Sequence, residues 1–332
     1  MKALLQLIRW PNLLIIIATQ YLMRYAILDT MLKNIYVYIN SETVKVPDME
    51  LQLSDFQFLL LVMSTVFLTA AGYVINDYFD TKTDKLNRPH RVVVGKLISR
   101  RLTMTIHLVL NGLGVALGFY LAWSIGMMFL GFVFLLVSGL LWFYSTTYKR
   151  QFLIGNILVA FLTGLVPFMV ALFEIPLLMN EYNAIMIDFD INLNHILLWI
   201  GGFSFFAFIT TLIRELVKDM EDFEGDRAYG RRSLPIVLGL NISKIIVSGL
   251  ILITLFALFV VVVFYLNDPI TFSYMIIALV IPMTFLIFRL WKANSSKAYH
   301  IASILTKVIM LSGLAYAVLA HFIIVNQLTN LG

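Results

Sequence analysis

Residues 56–84 read FQFLLLVMSTVFLTAAGYVINDYFDTKTD, an uncharged run from Phe56 to Ile75 followed at once by Asp77, Asp80, Lys82 and Asp84. An apolar stretch of about 20 residues is the length a helix needs to cross the hydrocarbon core of a bilayer. Carboxylates at the end of such a helix are costly unless they face a cavity, bind a cation or carry out chemistry. One stretch therefore sets both the fold class and the place to look for a site.

Composition extends the reading to the whole chain. Of 332 residues, 61% are hydrophobic and 13% charged, far from the usual soluble balance, and the mean hydropathy is +0.90. Apolar runs lie near 11–29, 56–75, 102–120, 125–145, 152–173, 194–213, 245–265, 270–290 and 301–325. They predict an all-α integral membrane protein of nine transmembrane helices. No Gly/Ser-rich or Pro-rich linker divides it, so residues 1–332 read as a single polytopic domain. The first run is long and lacks a small-residue cleavage site, so it reads as a retained helix. Short cytoplasmic loops are enriched in Lys and Arg. Lys82 to Arg101, Lys149-Arg150 and Arg214 to Lys244 all fall on one side under this count, with the N-terminus. The N-terminus and both acidic clusters are placed in the cytoplasm, the C-terminus outside, and the protein in the cell membrane. Arg24, near the outer end of the first run, reads as a snorkelling side chain.

These features also exclude classes. The net charge of +5 is explained by basic loops against anionic lipid headgroups and needs no nucleic acid. With no cysteine there is no disulfide, thiolate metal site or cysteine nucleophile, and the five histidines show no metal-ligand spacing. Gly112, Gly114, Gly118, Gly126 and Gly131 read as close-packing positions between helices.

Two acidic groups remain. Asn76, Asp80 and Asp84 are spaced i, i+4, i+8, and so share one helix face, with Asp77 about a quarter turn away. Glu215, Asp219, Asp222 and Asp226, following the sixth run, are spaced i, i+4, i+7, i+11 and predict a second continuous stripe. Their placement after the second and the sixth run is that of a diverged repeat of four helices. Like charges stacked at i, i+4 repel. Hard divalent ions relieve this through oxygen ligands, and Mg²⁺ characteristically shares one or two carboxylates with substrate phosphates. Two such stripes beside basic residues look like two Mg²⁺ sites gripping a diphosphate; solvated loop charges are the plainer alternative.

The stretch Asn76-Asp77-Tyr78-Phe79-Asp80 to Asp84, with Asn87-Arg88-Pro89-His90-Arg91, resembles the first signature of the UbiA superfamily of intramembrane prenyltransferases. Lys218-Asp219-Met220-Glu221-Asp222-Phe223-Glu224-Gly225-Asp226 resembles the second. Arg214-Glu215 upstream, Ser233-Leu234-Pro235 downstream and the Tyr144 to Asn156 loop are similar to archaeal-type digeranylgeranylglyceryl phosphate synthases. The chain departs from the family where Arg-Pro-hydrophobic-Pro-Ser-Gly is usual, having Arg91-Val92-Val93-Val94-Gly95-Lys96. That alters the loop's shape and bears on acceptor choice.

The resemblance implies a UbiA-like bundle and Mg²⁺-dependent transfer of a polyprenyl group, geranylgeranyl, from its diphosphate to a lipophilic acceptor. The acceptor implied is geranylgeranylglyceryl phosphate, giving an ether lipid. It further implies that Asn76, Asp80 and Asp84 hold one ion and Asp219, Asp222 and Asp226 the other, with Asp219 acting through a neighbour. Lys149 would contact the diphosphate; Arg88, Arg91 and Lys218 would hold an acceptor phosphate; Tyr144 and Tyr148 would line the path of the allylic cation. Arg9 and Asn12, opening the first helix, would reach the pocket or act as plain interfacial anchors. Two alternatives stay open: an aromatic acceptor, as in quinone or tocopherol-like products, and a cation-coupled transporter using the acids as an ion site. Acceptor, prenyl length and oligomeric state are not readable from the sequence.

Overall fold

The computed structural model describes residues 1–39, 42–87 and 92–329. Among them, nine helices are long and apolar enough to cross a membrane. They are α1 (Trp10–Leu32), α2 (Asp55–Thr81, continuing as helix to Asn87), α3 (Arg100–Ser124), α4 (Met128–Thr146), α5 (Ile154–Glu181), α6 (Asn194–Glu221), α7 (Leu240–Leu266), α8 (Pro269–Lys292) and α9 (Ser296–Asn326). The expected count and order hold. A small hairpin is added between α1 and α2, where β1 (Tyr36–Ile39) pairs antiparallel with β2 (Glu42–Lys45), Tyr36 opposite Lys45.

The helices that carry the two motifs are also the organising ones. α2 packs most extensively on α3, and α6 on both α5 and α9. α2 is the most enclosed span, with Leu61, Val74 and Ile75 fully buried. By contrast Phe256, Phe264 and Ile277, on α7 and α8, are each about 70% exposed, the placement of side chains that face lipid. A Cβ at Gly118 would stand 2.2 Å from the Phe134 ring, so α3 and α4 approach this closely only over glycine. Gly114 and Gly131 lie at similar contacts. Gly112 meets no neighbour, and Gly126 serves the α3–α4 turn with a φ of +72°, so those two are not close-packing positions.

At the end away from the motifs, Arg24 does not snorkel. It is 1% exposed within a π-helical turn of α1, and its guanidinium pairs with the fully buried Glu174 of α5 at 3.1 Å. The segment before α2 folds in over this pair, burying Val46, Met49 and Leu53 and presenting backbone N–H groups to the carboxylate. Pairing inside the bundle replaces a reach to water.

In the stretch where the family carries prolines, Val93 and Val94 are buried against Leu7 and Val74. A tight turn follows, with Gly95 at φ +76° and its N–H donating to the Ile98 carbonyl at 2.8 Å. The valines anchor the loop by apolar burial instead of by proline rigidity.

Candidate active site

Because α2 stays helical past residue 75, Asn76, Asp80 and Asp84 do share a face. All three line a cavity of about 930 Å³ that opens at the motif end of the bundle. Asp80 is 8% exposed and is met by two cations from elsewhere in the chain. Lys149 Nζ lies 2.8 Å from its Oδ1 and also donates to Asn76 Oδ1 at 3.2 Å. Arg231 donates to the same Asp80 oxygen, to Thr83 Oγ1 at 3.3 Å and to Asp226 Oδ1 at 3.3 Å. One guanidinium thus bridges the two motifs. Asp77, a quarter turn round, is held by Arg9 at 2.6 Å, whose guanidinium also lies over the Tyr73 ring.

The second motif is not one stripe. α6 ends at Glu221, and Asp222 adopts φ −91°, ψ 10°, before a short helix, Phe223–Ala228, begins. The break at Asp222 redirects Asp226, which is 2% exposed, toward Asp80. Asp219 accepts a hydrogen bond from Asn156 Nδ2 at 2.9 Å, and Glu215 is flanked by Arg214 and Lys218 at 3.0 and 2.8 Å.

Backbone contacts explain how Lys149 gets there. It sits in a short 3₁₀ turn, Tyr148–Arg150, pressed against the start of α5, where a Cβ on Gly155 would stand 2.7 Å from Lys149 Cα. The Arg232 N–H donates to the Arg150 carbonyl at 3.2 Å, joining this turn to the segment that carries Arg231.

The electrostatics follow from burial. Desolvation pushes the Asp226 carboxyl up to about 6, with the charge of Asp222 adding to it against the pull of Arg231. Desolvation pushes Lys149 down although Asp80 opposes it. For Arg231 burial works in the same direction, but Asp80 and Asp226 outweigh it and hold the group above its ordinary value. Among the described residues no three carboxylates close on one point. Oxygen donors instead stand on both sides of the cavity, with two protein cations between them. That arrangement fits Mg²⁺, which completes its shell with water and substrate phosphates; an all-protein cage would need closer convergence.

The six predicted metal-binding positions, with Lys149, Lys218, Tyr144, Arg9 and Asn12, all line the cavity. Tyr148 does not, and its ring packs on Phe143 instead, because the 3₁₀ turn that points Lys149 inward turns its neighbour outward. Arg88 and Arg91 lie outside the described residues. The sequence reading missed Arg231, which it counted only among the basic loop residues, and also Asn156, Thr211, Arg214 and Lys307. Arg231 had one signal, its position five residues after the last acid of the second motif.

Residues 49–312 match the model of the UbiA prenyltransferase family. Over 200 residues the chain is 37% identical to a digeranylgeranylglyceryl phosphate synthase of Methanothermobacter thermautotrophicus, covering 60% of this chain and 62% of that protein. The chain thus spans about three-fifths of the length of the curated relatives it matches. Its fold resembles an apo UbiA homolog from Aeropyrum pernix K1, at TM-score 0.59 and 14% identity over 89% of this chain and 96% of that one. It also resembles a UbiA homolog from Archaeoglobus fulgidus bound to DMAPP and Mg²⁺, at TM-score 0.54 and 17% identity over 95% and 98%. With the family model covering most of its length and both acidic motifs facing one cavity, this chain belongs to the UbiA prenyltransferase family.

Proposed function

We propose that this chain transfers a geranylgeranyl group from its diphosphate to geranylgeranylglyceryl phosphate, using Mg²⁺, with the motif end of the bundle facing the cytoplasm of the cell membrane. The observation that carries the reading is the bridge from Asp80 through Arg231 to Asp226, with Lys149 on the same Asp80 oxygen, at the mouth of a cavity with apolar depths. A diphosphate needs that mixture of cations and cation-binding carboxylates, and an isoprenoid tail needs the apolar wall formed by Ile16, Leu68, Phe134 and Leu311. The identity to a relative named for the ether-lipid product, and a family structure holding DMAPP with Mg²⁺, support the same choice. The basic residues at the motif end support the orientation.

Asn76, Asp80 and Asp84 would hold one Mg²⁺, and Asp222 and Asp226 a second, with Asp219 held in place by Asn156. Bound there, Mg²⁺ would supply positive charge against the diphosphate and so make it a better leaving group. Lys149 and Arg231 are placed to donate to its oxygens as the allylic C–O bond breaks and its electron pair stays with the diphosphate. The Tyr144 face lines the same cavity and offers its π electrons to the allylic cation. The acceptor's hydroxyl oxygen supplies the electron pair of the new C–O bond, and its proton leaves with the diphosphate. The apolar walls keep water from capturing the cation.

The test is a mass-spectrometric product assay on the purified protein in lipid. Geranylgeranyl diphosphate is offered with geranylgeranylglyceryl phosphate or with a panel of aromatic acids, with Mg²⁺ or chelator. A Mg²⁺-dependent ether lipid, absent in Asp80→Ala, is the expected result. An alkylated aromatic in its place would overturn the acceptor. Failure to bind or transfer any donor would overturn the enzymatic reading in favour of ion transport.

A further inference from the structure

The mouth of the cavity is electrically two-sided. Around Asp80 and Asp226 two cations, Lys149 and Arg231, meet the two acids. Between α1, α6 and α9 the balance tips toward the cations, because Arg214 and Lys218 both pair with Glu215 and Lys307 adds a third cation. Lys307 Nζ donates to Asn12 Oδ1 at 3.0 Å and, among the described residues, has no carboxylate partner. It lies close enough to Arg214 for the two charges to repel. Two buried polar atoms here also lack any hydrogen bond: Arg214 Nε and Thr211 Oγ1, the latter on a residue only 4% exposed. Arg9, at the rim, is already taken up by Asp77.

Packing alone gives no reason for this arrangement. Buried polar atoms without partners are costly, and a half-buried cation beside another cation adds to the cost. An anion among them would remove both costs. Thr211, Arg214 and Lys218 fall at i, i+3 and i+7 on the cavity face of α6, so they present a hydroxyl, a guanidinium and an ammonium in a line, with Lys307 facing them from α9. With Asp219 also beside Lys218, three cations face two carboxylates. A phosphomonoester, which carries about −1.5 to −2 at neutral pH, offsets the remaining excess.

We propose that Arg214, Lys218 and Lys307, with Thr211 and Asn12, form an anion subsite separate from the diphosphate position, and that it holds the phosphate headgroup of the lipophilic acceptor. The choice of acceptor rests on the reading above, while the subsite itself rests on these residues. Donor and acceptor phosphates then occupy separate positions in one cavity, which keeps two anions apart and points the acceptor's hydroxyl toward the donor.

The experiment compares wild type, Lys307→Gln, Arg214→Gln and Lys307→Arg, all as the full chain in lipid. Each is given geranylgeranylglyceryl phosphate or the same alcohol without its phosphate; thermal melting confirms that each variant is folded, and calorimetry measures its binding of geranylgeranyl diphosphate. Both Gln variants are expected to raise the KM for the phosphorylated acceptor about tenfold or more, the scale of a lost hydrogen bond to a charged group. Donor binding stays within about twofold on the same scale, Lys307→Arg restores most of the affinity, and the preference for phosphate over alcohol shrinks in both Gln variants. Unchanged acceptor KM in both, or an equal loss in donor binding, would overturn the subsite while leaving the ether-lipid reading intact. Transfer by wild type to aromatic acids but not to the phosphorylated acceptor would overturn both.

Discussion

Two groups of charges are buried in this bundle, one at each end, and they are closed to different degrees. At the end away from the motifs, Glu174 accepts from Arg24 and from the backbone N–H groups of Gln52 and Leu53, while Arg24 also donates to the Leu53 carbonyl and packs on the Phe58 ring. One cation meets one anion, and backbone groups supply further partners, which leaves Arg24 Nε as the one unbonded nitrogen of that guanidinium. At the motif end, Asp80 and Asp226 share Arg231, and Asp84, Asp219 and Asp222 line the same cavity beside them. Lys149 and Arg231 both meet Asp80, and Arg231 is shared with Asp226. A buried pair that balances its own charge away from the cavity holds helices together, whereas a cluster that shares its cations on a cavity wall is built to receive something.

The sharpest way to break this contrast is to remove one acid from each end. Asp80→Asn or Asp226→Asn should lower kcat by about 10³-fold, the upper range for loss of one preorganised electrostatic group. Melting of the unliganded protein should fall by less than at the Arg24–Glu174 pair, because Lys149 and Arg231 keep other oxygen partners, Asn76 and Thr83 among them. A large fall in melting temperature would make these acids structural. Lys149→Met should follow at about 10²-fold in kcat; an effect confined to stability would remove Lys149 from the site.

Glu174→Ala should behave in the opposite manner. Leaving Arg24 buried without its partner should destabilise the fold by about 3–5 kcal/mol, read as denaturant or thermal unfolding, with kcat per folded molecule unchanged. The double replacement Arg24→Met with Glu174→Met should recover most of that loss, since a closed ion pair of this kind is replaceable by apolar packing. Activity lost in proportion to neither folding nor expression would tie this end to the chemistry. The smallest effect is expected at Gly155→Ala. The added methyl pushes on the backbone at Lys149 Cα, and a shift of the turn by a fraction of an ångström should raise donor KM by about tenfold, with a modest loss of stability because backbone has to move.

Much of the helix plan was legible because it depends on local properties. The apolar run before Asn76 is long enough to span, and the i, i+4, i+8 spacing of its acids needs only a continuing helix to share a face. Asp226 was legible as a member of a motif but not in its direction, since the break at Asp222 depends on how the short helix after α6 packs. Arg24 misled for a related reason: a lone Arg near a helix end reads as reaching for water, and only the folded segment over it, with Glu174 from α5, reveals the pair. Tyr148 was misread because neighbouring residues in a 3₁₀ turn point in different directions, a matter of backbone geometry that residue type does not encode.

Span number, the polarity of the loops and the existence of two acid groups at one end were thus set by the order of residues, because hydrophobic length and charge content act over single helices. Which cation meets which carboxylate was decided by the tertiary structure. Arg231 is 151 residues from Asp80, and Glu174 is 150 from Arg24. Such contacts act only within a few ångströms, a distance that helix packing alone sets.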